Sequence, residues 1–246
     1  MSELKDHINM DDHKSVYVND AERYDALVSR EDHEGNIIQA VRKVMQPKGK
    51  DIVEFGAGTG RLSILLAPFV RSLRGFDSSS AMLDVAVRKL EQGGWNNWQV
   101  EQADNRSIPV PDACADLVIS GWSICYFASW GGEDWKKELY RSFAEMKRIL
   151  RIDGKIILLE TMGTGFETPT PPGHLTEYYQ VLADLGFCFD WFRTDYKFQS
   201  LTEAVDLVDF FFGAELALKV KKDGDLILPE CTGIWWIDRD DFSLPD

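Results

Sequence analysis

Histidine and cysteine are scarce in this sequence, four of each in 246 residues, and neither is spaced to hold a metal. Cys114, Cys125, Cys188 and Cys231 form no CxxC pair, which excludes a zinc site and a disulfide framework and reads as reduced thiols in a cytoplasmic protein. His7, His13, His33 and His174 sit near acids without ligand spacing, so no metal is expected. Bases are short as well: 27 against 41 acids give a net charge of −14, and residues 161–246 alone hold 16 acids against 6 bases. Such a surface repels phosphate backbones, and nucleic acid is excluded as a partner. Long apolar runs are missing too. No stretch approaches the roughly 20 residues of a membrane span, and the polar start, residues 1–14, lacks the apolar run of a signal peptide. No membrane is expected.

What remains is a folding composition, 44% hydrophobic and 28% charged, with room for one α/β domain and an elaborated end. After a polar arm, Ile37, Ile38, Val41 and Val44 form a helical stripe within residues 32–46 that Pro47 and Gly49 stop. Short apolar strands follow at 51–55, 70–76, 98–103, 116–120 and 155–160, each separated from the next by a turn and most by an amphipathic helix. This alternation implies βαβ units: a Rossmann-like, mostly parallel seven-stranded sheet with helices on both faces. Further on, 174–185 and 203–220 read as helices, and 187–198 and 226–238 as strands that join the same sheet. Three parts are expected: residues 1–34 as an arm and lid, 35–161 as the cofactor-binding core, and 162–246 as an elaborated C-terminal part that completes the sheet and forms the substrate side.

In an open parallel sheet a ligand lies beyond the carboxyl ends of the strands. Glu54, Asp77, Asp104, Ser120 and Glu160 all fall at such ends in this reading. Gly56-Ala57-Gly58-Thr59-Gly60, between a strand and a helix, makes a turn that brings backbone against a ligand. A dinucleotide loop needs GxGxxG, but here the third glycine comes one position early and Arg61 stands in its place. Asp77 is placed to accept from ribose hydroxyls, and Asp104 from an adenine amine. Glu54 suits a cofactor with a cationic end better than a pyrophosphate.

The run Asp51 to Gly60 resembles the first motif of class I S-adenosylmethionine-dependent methyltransferases, V-L-D/E-x-G-x-G-x-G, with Glu54 in its acidic slot. Gly75-Phe-Asp-Ser-Ser-Ser-Ala-Met82 is similar to the second motif, Gln102 to Asn105 to the third, Ala115 to Ser120 to the fourth-strand motif, and Met146 to Gly154 to the R-V-L-x-P-G-G segment. The resemblance covers about residues 35 to 161. It implies S-adenosyl-L-methionine as cofactor, held by Glu54, Gly56, Ala57, Gly58, Gly60, Asp77, Ser78, Met82, Asp104, Asn105 and Ser120, with Met82 packing on adenine. Two departures stand out: Ile152-Asp153 replaces the usual Pro-Gly, and Cys125-Tyr126 stand where many small-molecule members have His-His, so histidine catalysis does not carry over. The stretch Leu228 to Trp236 is similar only to uncharacterised bacterial members and indicates no substrate.

Methyl transfer needs alignment and exclusion of water more than a nucleophile. Trp122, Tyr126, Glu160 and His174 are the candidate catalytic-side residues, with Tyr17, Tyr24, Tyr178 and Tyr179 as further aromatics; for the last two, core packing is the expected role. The stripe Leu207, Phe210, Phe211, Phe212 and Leu216 fits core first, and a lid or a homodimer face second. The expected activity is methylation of an unidentified small molecule. Two alternatives remain: a non-catalytic cofactor-binding module for a protein partner, and an NAD-type oxidoreductase, which the position of Arg61 disfavours.

Overall fold

A computed structural model describes residues 10–245, with side chains from residue 15 onward; His7 and the side chain of His13 lie outside the described part. Among the described residues nine strands form: β1 (Asp51–Phe55), β2 (Ser72–Asp77), β3 (Trp98–Gln102), β4 (Ala115–Gly121), β5 (Leu150–Thr164), β6 (Cys188–Arg193), β7 (Tyr196–Lys197), β8 (Ile227–Leu228) and β9 (Glu230–Asp238). Seven of them make one sheet in the order β3-β2-β1-β4-β5-β9-β6, with β7 and β8 paired separately. β1 to β5 are mutually parallel, and β9 runs antiparallel to both β5 and β6. The central strands are continuous apolar runs because both faces are covered: Leu117, Val118 and Ile119 of β4 and Ile156 to Leu159 of β5 are all fully buried.

Helices supply the cover. On one face lie α3 (Asn36–Val44), α4 (Arg61–Leu66) and α5 (Ser80–Gln92), which contribute Ile37, Val41, Leu62, Leu66 and Leu90. On the other, α7 (Trp135–Ile149) and α8 (Thr176–Asp184) bring Leu139, Phe143, Met146, Tyr178 and Leu182. Each such side chain, fully buried, stabilises the fold by about 1.5–3 kcal/mol relative to exposure. A third cluster stands apart from the sheet. There α2 (Ala21–Val28) places Leu27 against α9 (Leu201–Phe212), α10 (Ala214–Asp223) and the β7–β8 ladder.

The sheet is therefore as expected, and the differences lie at its margins. The arm is not merely solvated: α1 (Met10–Asn19) and α2 are helices, because Ala21, Leu27 and Val28 have apolar partners to meet. The single helix expected at 203–220 is two, broken at Gly213, whose φ of +91° and ψ of 167° a helix cannot include. The strand-like stretches 187–198 and 226–238 each split into a short cap strand and a long sheet strand. Among the described residues no helix is long and apolar enough to cross a membrane.

Candidate active site

Strand order reverses between β1 and β4, and the chain leaving β1 must turn into α4 within five residues. Gly56, Gly58 and Gly60 accomplish this with φ values of +68°, +52° and +79°, a region costly to any residue with a Cβ. Their neighbours differ. A Cβ on Gly56 would fall 1.9 Å from Ser123 Oγ, so that glycine admits the loop after β4, whereas a Cβ on Gly60 would fall 3.0 Å from the Ala86 Cβ of α5. Gly60 thus serves helix packing.

Above this turn lies a cleft of about 330 Å³. Of the predicted cofactor residues it is lined by Glu54, Gly56, Ala57, Gly58, Asp77, Ser78, Met82, Asp104 and Asn105; Gly60 and Ser120 stand behind the wall. Ser120 is fully buried, and its hydroxyl donates to the Phe55 carbonyl at 2.9 Å, tying β4 to β1 beneath the site. Asp77 ends β2 with its carboxylate accepting the Gly58 N–H at 2.9 Å and the Ser79 N–H at 2.8 Å. Burial raises the Asp77 pKa, opposed by those backbone bonds, and each oxygen keeps a lone pair for a ligand. Glu54 is buried, receives the Ser63 hydroxyl at 2.5 Å, and is pushed up to about 8 by burial. Asp104 is half-exposed and ion-paired with Arg106, which lowers its pKa and leaves it at the rim.

The aromatic side of the cleft comes from two directions. Trp122 (φ +49°) and Tyr126 follow β4, and α6 (Tyr126–Trp130) stacks Tyr126 on Trp130 with centroids 4.0 Å apart. From α1 and α2, Tyr17 and Tyr24 enter as a roof: the Tyr17 and Tyr126 hydroxyls are hydrogen-bonded, and the Ser79 hydroxyl donates to the Tyr17 carbonyl at 2.7 Å. The other candidates do not reach the cleft. Glu160 is fully buried behind the loop after β4, where it accepts the Cys125 N–H and the Tyr178 hydroxyl, each at 3.1 Å. Burial pushes it up to about 7. His174 lies exposed before α8, outside the cleft lining. Tyr178 is core, as expected, and Tyr179 stacks on Trp235 of β9. The segment 163–186, part of the expected substrate side, lines none of the cleft; its Leu175, Tyr178 and Leu182 pack under the sheet. The Phe stripe is mainly cap core, with Leu207 buried and Phe211 packed on Tyr24 at 5.3 Å.

Sequence reasoning missed Thr59, Arg61, Ser123, Phe127 and Trp130 in the lining. Of these only Trp130 carried a signal, its spacing of four residues from Tyr126, which puts the two on one face if a helix follows β4. The cleft lining is polar around Asp77, Thr59 and Asn105 and mostly aromatic around Tyr17, Trp122, Tyr126 and Trp130. Thr59 Oγ1 and Asn105 Oδ1 are buried, with no hydrogen-bond partner among the described residues. Unsatisfied buried polar atoms of this kind point to a polar ligand.

Comparison with known proteins gives the same direction. The family described as "Methyltransferase domain" matches residues 53–158. The chain is similar to the uncharacterised methyltransferase YcgJ of Bacillus subtilis, 24% identical over 109 residues that cover 44% of this chain and 40% of that protein. An uncharacterised methyltransferase of Bacillus pumilus is 25% identical over 153 residues, covering 60% of this chain and 66% of its own. The matches thus span between two fifths and two thirds of these relatives. A crystal structure of an S-adenosylmethionine-dependent methyltransferase from Aquifex aeolicus superposes with a TM-score of 0.56 at 15% identity, covering 88% of this chain and 96% of the other, a likeness of fold. Residues 53–158 thus match a methyltransferase domain, within a fold shared with a solved S-adenosylmethionine-dependent methyltransferase.

Proposed function

We propose that this protein transfers the methyl group of S-adenosylmethionine to a small molecule held beneath α1 and α2. The observation that carries the reading is the polar end of the cleft, where the Asp77 carboxylate and the unpartnered Thr59 Oγ1 and Asn105 Oδ1 converge above the positive-φ turn. These groups fit the cofactor. Asp77 would take its ribose hydroxyls, Met82 its adenine, Asp104 and Asn105 the adenine edge, and Glu54 with the backbone of 56–58 its methionine end. Bound there, the cofactor supplies a methyl group already activated on a sulfonium.

The chain's own residues then have three tasks. Asp77 orients, with both oxygens pinned by backbone N–H groups. Tyr17 and Tyr24 exclude water, which keeps the reacting groups aligned. Trp122, Tyr126 and Trp130 form the acceptor wall, whose ring faces favour the cationic side of the chamber by about 0.5–2 kcal/mol. Glu160 is a support for this wall through the Cys125 N–H and not a base, because it does not face the cleft. A roofed, small, aromatic chamber in a chain of net charge −14 supports a small acceptor over a polymer. Four free cysteines support a cytoplasmic setting.

Calorimetry tests the cofactor: S-adenosylhomocysteine should bind at micromolar levels and NAD should not. Tight NAD binding without any response to S-adenosylhomocysteine overturns the assignment. Native mass spectrometry of the purified protein should reveal retained nucleoside and, beside it, the acceptor.

A further inference from the structure

Arg61 opens α4 immediately after the glycine turn, where its side chain reaches three parts of the molecule at once. Its Nη2 lies 2.5 Å from Glu31 Oε1, in the segment joining α2 to α3, with the Arg61 and Glu31 side chains 16% and 2% exposed. The guanidinium also lies 3.6 Å from the Trp122 ring centroid, just beyond β4, and it lines the cleft. Glu31 is not on a loose loop. The Asp32 N–H donates to the Thr194 carbonyl at 3.1 Å, the Lys197 N–H donates to the Arg30 carbonyl at 2.8 Å, and Tyr196 of β7 faces Glu31. The Asp32 carboxylate accepts the Asn36 and Ile37 N–H groups that start α3.

A planar guanidinium can stack with its face while pairing with its edge, which a lysine ammonium cannot do. A buried ion pair is a poor source of net stability, because desolvation offsets its attraction, so its presence here calls for a positional role. We propose that Arg61 is a positioning residue for the acceptor end of the cleft. By holding Glu31 and Trp122 together it keeps the base of the α1–α2 roof and the wall after β4 in register with the cofactor turn, so that filling the turn closes the roof. The proposal rests on the reading of the cleft as the S-adenosylmethionine site.

The test measures amide hydrogen exchange in the full chain, with and without saturating S-adenosylhomocysteine, for Glu31→Gln and for the double variant Arg61→Met with Glu31→Gln. The double variant removes both buried charges together, so it leaves no orphaned ion in the core and keeps the fold. In the wild type the ligand should slow exchange of residues 15–28 and 122–130 by about tenfold or more. In both variants that slowing should shrink to within about twofold of the ligand-free rate, while affinity stays within about tenfold of wild type. A purely structural pair would lower the melting temperature yet leave the ligand-induced slowing intact, and that result overturns the proposal. So does an affinity loss beyond tenfold with the slowing retained at saturation, which would make Arg61 a cofactor ligand. No binding of S-adenosylhomocysteine by the wild type would instead remove the cofactor reading, and this proposal with it.

Discussion

Asp77 combines two duties that the sequence shows as one. The motif GxD at the end of a strand marks it as the proposed ribose acceptor, and in the structure its two oxygens fasten the Gly58 and Ser79 N–H groups. Charge-assisted bonds of this type contribute about 1.5–3 kcal/mol each, so Asp77→Ala should weaken S-adenosylhomocysteine binding by roughly tenfold to several hundredfold. Calorimetry on folded protein checks this, and an unchanged affinity would remove Asp77 from the site. Glu160 shows why the same logic fails elsewhere. Read from the sequence it ends the fifth strand, as Asp77 ends the second. Yet β5 continues to Thr164 because β9 pairs alongside it as far as Glu230, so Glu160 is a mid-strand residue buried among Cys125 and Tyr178. Strand-end position was legible only where no partner strand prolonged the pairing.

Elements whose pattern follows from burial on the sheet were readable, and those that depend on the cap were not. β1, β4, β5 and α7 keep the apolar pattern of their layers, whereas α6 and the β7–β8 ladder are too short to carry a period and α1 has too few apolar residues to show one. The break between α9 and α10 was also hidden, since Gly213 sits in an otherwise helical run. Its φ of +91° with ψ of 167° belongs to a region open essentially to glycine alone, and a Cβ there would meet nothing within 4 Å. Gly213→Ala should therefore act through backbone strain, costing about 1–3 kcal/mol and lowering the melting temperature by about 2–10 °C. A variant as stable as wild type would show that the two helices can fuse. The roof allows a second expectation at this scale. Removing residues 1–19 takes away Tyr17 and its bonds to Tyr126 and Ser79 while leaving α2 docked on α5 through Lys89 and Asp25 at 2.5 Å. Association and dissociation of S-adenosylhomocysteine should both accelerate, by about tenfold, with their ratio changed far less, as expected when a gate and not a binding group is lost. Stopped-flow rates that stay at the wild-type values would show that α1 is not a gate.

At the scale of the whole molecule, the sequence conveys the acid excess but not where acids are buried. Glu54, Glu160 and Glu230 are each at most 2% exposed, and burial pushes them up to about 8, 7 and 8, from an ordinary value of 4.5. The folded chain therefore holds these protons through a pH range in which the unfolded chain has released them. More protons bound in the folded state means that stability falls as pH rises, from about 4.5 up to 7–8, by up to about 1.4 kcal/mol per pH unit for each group. Repulsion among the charges behind the net −14 acts in the same direction. The opposite limb comes from Asp51, which the Arg71 guanidinium holds far below the usual carboxylate range; its stabilisation is present above about pH 4 and is lost as pH falls below that. The two limbs place the stability maximum between about pH 4 and 4.5, on the acid side of neutrality. Thermal unfolding of the ligand-free protein should show the melting temperature declining steadily from pH 5.5 to 8. Glu160→Gln, which keeps an acceptor for the Cys125 N–H and cannot ionise, should flatten that decline over its lower half, from pH 5.5 to about 7, and leave it unaltered above. A wild-type melting temperature that is level or rising over the range, or a variant with an unaltered slope, would mean that water reaches these carboxylates in the folded chain.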